Sequence, residues 1–249
     1  MEQITSRKNA YIRHLRQLSA DGAYRRERGE FLCDGEKLLG EALSCGCRIT
    51  SVLWKERTRA LPGLETVPAY AAPAELFDYA SPMKNSPGPL FTVAIRGCGK
   101  PGRLESAIVL ENVQDPGNVG TVLRTANAFG VGAVILTGDC ADPYHPKTVR
   151  ASMGAIFRQR ILQLELPYVK PLLDEMDLPL YGAALDPNAK DVRNADLRHA
   201  AVAVGSEGRG LSEQLLAQCR EKLLIPMQPE SESLNAAVAA SVIMWEMSR

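Results

Sequence analysis

The chain has 249 residues, 45% of them hydrophobic, with 29 Lys and Arg set against 29 Asp and Glu. That length suits one large or two modest domains with real cores, and no apolar run approaches the roughly 18 residues of a membrane span. Six cysteines without a C-x-x-C pair and three scattered histidines, His14, His145 and His199, leave no disulfide framework, no zinc spacing and no histidine triad to be read from sequence order, so no metal is expected.

The balanced total hides an asymmetry. Residues 1–103 carry 16 basic and 11 acidic side chains, and residues 104–249 carry 13 and 18. The N-terminus lacks the apolar core of a signal peptide, so a cytoplasmic location without a membrane partner is expected. The first predicted element is a helix near 6–19, with Tyr11, Leu15 and Leu18 on one side and Arg13 and Arg16 elsewhere. Arg7, Lys8, Arg13 and Arg16 are candidate contacts for a polyanion, because a basic first half suits a polyanionic partner. Strand FLCDG, helix EKLLGEALSCG, strands ITSVLWKE and ETVPAYA, helix AELFDYA and strand LFTVAIR complete a small α/β domain over 1–96.

Residues 97–104 read as a linker rich in Gly, Pro and Arg. Gly97 to Gly102 formally matches G-x-G-x-x-G, but the next apolar segment is a strand, so the pattern fails its context test for a dinucleotide site. A second alternation fills 105–249. Its strands are SAIVLENV, GAVILTG, FRQRILQ, PLYGAAL, AAVAVG and KLLIPM, with helices near 118–129, 146–153, 168–176 and 212–220 and a last helix from about Asn235. Such alternation predicts a mostly parallel sheet covered on both faces.

Three stretches stand out in this second half. DPGNVGTVLRTANAFG (115–130) reads as a turn and an amphipathic helix, with Asn118 at the N-cap position and Gly130 at the stop. Its polar face is expected to carry Gly120, Thr121, Arg124 and Asn127, giving Arg124 a notch for a bulky ligand. VAVGSEGRGLS (202–212) ends a strand at Gly205 in a glycine-rich loop that lets backbone approach a ligand and embeds Glu207. LLIPMQPESESLNAAVAASVIMWE (223–246) runs from a strand through a polar loop to Ser233-Leu234-Asn235 at the start of a helix.

Together these resemble the catalytic domain of the SpoU/TrmH ribose methyltransferases of the SPOUT superfamily. The first is similar to the family's N-x-G signature with its arginine, the second to its G-S-E-G-x-G loop, and the third to its I-P-M…S-L-N segment. More loosely, residues 1–95 resemble the family's substrate-binding domain, itself similar to ribosomal and kink-turn-binding proteins; Cys33 and Asp34 depart from its usual F-x-V-E-G pattern. The resemblance implies an α/β SPOUT-type parallel sheet with a C-terminal trefoil knot, an exception to the rule that chains avoid knots. It implies S-adenosylmethionine as donor and the 2′-hydroxyl of an RNA ribose as acceptor, with ribosomal RNA favoured over transfer RNA. A catalytically inactive RNA-binding protein of the same fold is the competing class. The resemblance also implies main-chain cofactor contacts at Gly205, Ile225 and Leu234, with Thr137, Gly138, Ser206, Met227 and Asn235 lining the same pocket.

Methyl transfer is an in-line displacement that needs alignment and removal of a proton. Arg124 resembles the family's proposed general base. An arginine ordinarily keeps its proton, so two roles stay open: a proton acceptor in a perturbed site, or a clamp on the acceptor's phosphate. Asn118, Glu207, Ser233 and Asn235 are the expected supports, with Glu207 orienting either Arg124 or Asn118. Lys147 and Arg150, in HPKTVRASMGAIFR, are further candidates for RNA phosphate. The final helix is apolar on every face, which predicts burial on all sides and, with the resemblance, a homodimer.

Overall fold

The computed structural model describes residues 2–57, 61–96, 102–228 and 233–249. The chain divides into two compact units, 1–97 with 144–157, and 98–143 with 158–249. Most of the expected linker, residues 97–101, lies outside the described residues.

The first unit begins with β1 (Glu2–Gln3), α1 (Ala10–Ala20), α2 (Gly22–Arg28), β2 (Glu30–Asp34), α3 (Glu36–Ser44), β3 (Ile49–Lys55), β4 (Ala69–Ala72), α4 (Ala74–Ala80) and β5 (Leu90–Ala94). Its sheet has the order β1-β4-β3-β5-β2, parallel from β1 to β3 and antiparallel from β3 through β5 to β2. The first helix starts at Ala10, later than its periodicity suggests, because Asn9 takes the amide of Tyr11 and forms the cap. A second helix follows at once, since Asp21 accepts from Ala23 and Tyr24 and restarts the chain. Ile12, Leu15, Leu18, Leu32, Leu53, Leu76, Phe77 and Leu90 form the core between α1, α4 and the sheet.

The second unit holds β6 (Ala107–Glu111), α5 (Pro116–Ala128) and β7 (Ala133–Thr137). The chain then contributes α6 (Pro146–Ala151) to the first unit. Phe31 of β2 meets the Tyr144 ring in a tilted arrangement and the Phe157 ring in a stacked one, with centroids 4.9 and 6.3 Å away. The second unit resumes with β8 (Ile161–Gln163), α7 (Leu166–Glu175), β9 (Leu180–Ala183), β10 (Lys190–Asp191), β11 (Ala201–Val204), α8 (Glu213–Leu216), β12 (Glu221–Leu224) and α9 (Ala236–Met247). The strand expected over 157–163 shortens to 161–163, since Ala155–Phe157 forms a 3-10 turn.

Every pairing in the second sheet, of order β10-β12-β9-β11-β6-β7-β8, is parallel. Its central strands AIVLE, AVILT and AVAV are buried along their whole length, as a parallel sheet covered on both faces requires. One face packs Val109, Ile135, Leu162 and Leu180 against Val169 and Leu173 of α7 and Leu215 of α8. Helices α5 and α9 contact β7, β11 and each other.

Candidate active site

The three sequence stretches meet beyond the carboxyl ends of β6, β7, β9, β11 and β12, where open α/β sheets build their ligand sites. The turn after β6 leads into α5. Its N-cap is Asp115, whose Oδ1 accepts from the amide of Asn118 at 2.9 Å, with Pro116 as first helical residue. Asn118 is therefore not the cap, and its side chain is free for other work. Phe129 closes the helix and Gly130, at φ 71°, turns the chain away as expected.

The loop after β11 closes on itself. The amide of Gly210 donates to the carbonyl of Ser206 at 2.8 Å. A Cβ at Gly205 would lie 2.1 Å from the Gly210 backbone. Glycine is required there because the loop folds back onto it, rather than because a ligand would meet the Cβ. Behind the loop, Glu111 at the end of β6 is 2% exposed. Its carboxylate accepts from the Ser212 amide at 2.7 Å and the Ser212 hydroxyl at 2.6 Å. That anchor, unnoticed in the sequence, had one signal: an acidic residue ending an otherwise apolar strand.

Glu207 at the loop's tip joins all three stretches. Its Oε1 accepts from Asn118 Nδ2 at 2.9 Å, from Asn235 Nδ2, and from the amide of Ala236 at 3.2 Å. Asn235 also donates to Asn118 Oδ1 at 3.1 Å, while its own Oδ1 caps α9 through Ala237 and Val238. Of the two partners open to Glu207, the structure selects Asn118.

A cavity of about 410 Å³ lies beside this cluster. Gly205, Ser206, Ile225, Met227, Ser233 and Leu234 line it, so most of the expected cofactor residues converge. A second cavity of about 480 Å³ shares Ser206 to Arg209 and Ala236 with it and extends to Asn112, Gln114, Asp115, Asn118 and Asp139. Thr137 and Gly138 line neither. Thr137 is buried, its hydroxyl without a hydrogen-bond partner among the described residues, and the Asn112 side chain folds over Gly138 to accept from the Asp139 amide at 2.8 Å. Asn235 acts as cap and cluster member rather than as lining.

Arg124 is exposed on α5, lines neither cavity and makes no side-chain bond among the described residues. Gly120 is buried, so the expected notch beside Arg124 does not include it; Thr121 and Asn127 are exposed as anticipated.

In the first unit, Arg7 donates to Glu75 at 2.6 Å and Arg16 to the Tyr79 carbonyl at 2.7 Å, both guanidinium groups lying over the Tyr79 ring. Lys8 and Arg13 are exposed. Lys147 and Arg150 are exposed on α6 in the same unit.

The cavity suits S-adenosylmethionine chemically. Leu185, Leu211, Leu223, Ile225 and Leu234 give apolar walls, and the 205–210 backbone gives polar groups at the edge, the combination a nucleoside needs. A cleft of this kind, at the carboxyl ends of a parallel sheet and ringed by three converging loops, is the class of site that takes a nucleoside cofactor. Residues 105–245 match the SpoU rRNA Methylase family, and the chain belongs to it. It is 31% identical over 248 residues to the 23S rRNA (guanosine(2553)-2′-O)-methyltransferase RlmP of Bacillus subtilis, with 99% of each chain covered. The SpoU methyltransferase AviRb of Streptomyces viridochromogenes, solved with its cofactor AdoMet, superposes with a TM-score of 0.86 at 26% identity over 97% of this chain and 98% of that one. A solved RNA 2′-O ribose methyltransferase gives 0.80 at 27% identity over 98% and 97%. The chain is an S-adenosylmethionine-dependent RNA 2′-O-methyltransferase.

Proposed function

We propose that the acceptor is a ribose of ribosomal RNA, that the first unit carries the RNA, and that Arg124, Asn118, Glu207, Ser233 and Asn235 serve the transfer in the second. The observation that carries the site assignment is the convergence of Asn118, Glu207 and Asn235, far apart in sequence, beside a nucleoside-sized cavity. The name of the Bacillus subtilis relative, which specifies a 23S rRNA guanosine, supports ribosomal RNA over transfer RNA.

S-adenosylmethionine supplies a methyl group activated by its sulfonium. The chain's residues must hold the 2′-hydroxyl in line with that methyl group. The backbone of the 205–211 loop and of the 225–227 and 233–234 segments holds the donor. Asn118, fixed by Glu207 and Asn235, presents an amide toward the second cavity, where the ribose enters. Alignment of this kind contributes up to about 7–11 kcal/mol in ideal cases. Exposure on α5 favours Arg124 as a clamp that meets an incoming phosphate.

The reading includes a cytoplasmic homodimer and a C-terminal trefoil knot. Helix α9 buries Ala240, Ile243 and Met244 within its own unit yet leaves Val238 at 48% and Trp245 at 53% exposure. That apolar strip supports a second copy as its cover. A partner's α5 docking there would bring Arg124 across to this chain's cavity, which explains why Arg124 lines neither cavity of its own chain. Two features of the first unit, the exposed Lys8 and Arg13 and the exposed Lys147 and Arg150, support phosphate contacts. The test is transfer of labelled methyl from S-adenosylmethionine to transcribed large-subunit ribosomal RNA. Label in alkali-resistant dinucleotides supports the reading; label in bases, or transfer only to transfer RNA, contradicts it.

A further inference from the structure

We infer that Arg209 binds the phosphate next to the acceptor ribose from within the same subunit, a role that rests on the methyltransferase reading above. Arg209 sits at the tip of the 205–211 loop between Gly208 and Gly210, and a Cβ at either glycine would meet nothing within 4 Å. The backbone on either side of Arg209 is therefore uncrowded. Among the described residues Arg209 is the one basic residue lining either cavity, and it lines both. It is exposed and makes no side-chain hydrogen bond or ion pair with the described residues. Three other arginines of this unit are occupied, Arg193 by Asp191, Arg198 by Asp196 and Arg249 by Glu246.

The carboxylates around Arg209 already have partners. Asp115 caps α5, Asp139 accepts from Gln114 at 3.1 Å, and Glu207 holds Asn118 and Asn235. None is paired to Arg209, so its charge is left for an incoming anion. Arg124 cannot take this place within one chain, because it lies six residues beyond Asn118, about 9 Å further along α5. In RNA the group beside a 2′-hydroxyl is the 3′-phosphate. A guanidinium fork pairs with phosphate through two parallel hydrogen bonds. With the donor in the smaller cavity and the ribose in its neighbour, Arg209 stands on the shared wall, where that phosphate passes.

The test compares wild type, Arg209→Gln and Arg209→Lys on transcribed, unmodified large-subunit ribosomal RNA, with cofactor affinity measured by calorimetry in the absence of RNA. Arg209→Gln is expected to raise the KM for RNA about tenfold, the value of one charged contact, with kcat within about threefold. The slope of log kcat/KM against log salt should become shallower by about 0.7. Arg209→Lys should restore the slope and part of the KM, since it keeps the charge and loses the fork. Cofactor affinity should be unchanged in both. An unchanged KM and slope in Arg209→Gln overturns the proposal. A matching loss of cofactor affinity without RNA also overturns it, assigning Arg209 to the cofactor's carboxylate. Failure of the methyltransferase reading is distinguishable, because wild type itself would then transfer nothing.

Discussion

Removing the Glu207 carboxylate should separate catalysis from stability. In Glu207→Ala, three donors lose their shared acceptor: Asn118 Nδ2, Asn235 Nδ2 and the Ala236 amide. Glu207 is exposed, so water replaces the lost oxygen and the fold loses little. The site loses its tie between the first and third stretches. At about 0.5–1.5 kcal/mol for each of three hydrogen bonds, the geometry is weakened by about 1.5–4.5 kcal/mol. At about 1.4 kcal/mol per decade, kcat/KM should fall roughly 10- to 1,600-fold. Glu207→Gln keeps one acceptor oxygen without the charge and should fall about tenfold. Methyl transfer to ribosomal RNA gives the rate, and thermal unfolding gives the stability. A Glu207→Ala enzyme within threefold of wild type would refute the reasoning. A Tm loss large enough to explain the rate would refute it equally.

Gly205→Ala should damage the loop before any ligand binds, because the added Cβ meets the Gly210 backbone at 2.1 Å; cofactor affinity and Tm should both drop, and an unchanged Tm would contradict this. Glu30 gives a pH dependence. Burial works to raise its pKa, but hydrogen bonds from His14 and Thr50 outweigh it and hold the group below the ordinary value. A folded pKa below the unfolded value contributes stability that is present above about pH 4.3 and is lost as pH falls through the folded value. Wild type should thus exceed Glu30→Gln in Tm at pH 6, and the gap should close as pH falls through the folded value; a constant gap would count against the assignment. Trp245→Glu, with Val238→Glu, should convert a dimer to a monomer in light scattering and abolish transfer while the cofactor still binds. Full activity in that monomer would remove the dimer from the account.

The alternation of apolar runs and helical stretches made the parallel sheet legible, because buried strands such as AVILT admit no other reading between turn residues. Local capping was less legible. Asn118 competed with Asp115 for the same role, and the Asp-Pro pair, a cap followed by a residue suited to the first helical position, was the better signal. Gly120 is buried on a helix that packs against both α9 and β7, a burial that no period within α5 reveals. The membership of 144–157 in the first unit was likewise invisible, since Tyr144 and Phe157 find Phe31 across more than a hundred residues. For the site, motif order identified the loops but not the bonds. Glu207 had two plausible partners until the fold brought Asn118 within 2.9 Å, and Glu111 gave no hint of the hydroxyl and amide it holds 101 residues away.

The central claim is that this chain methylates a ribose 2′-hydroxyl in ribosomal RNA. Its most direct test is a map of 2′-O-methylation across ribosomal and transfer RNA from a strain lacking the gene, from the same strain carrying wild type, and from one carrying Glu207→Ala. The account predicts a single ribosomal ribose that loses its methyl group on deletion, regains it with wild type and stays largely unmodified with Glu207→Ala. An unchanged ribosomal map, or a lost methyl group restored in full by Glu207→Ala, would contradict it.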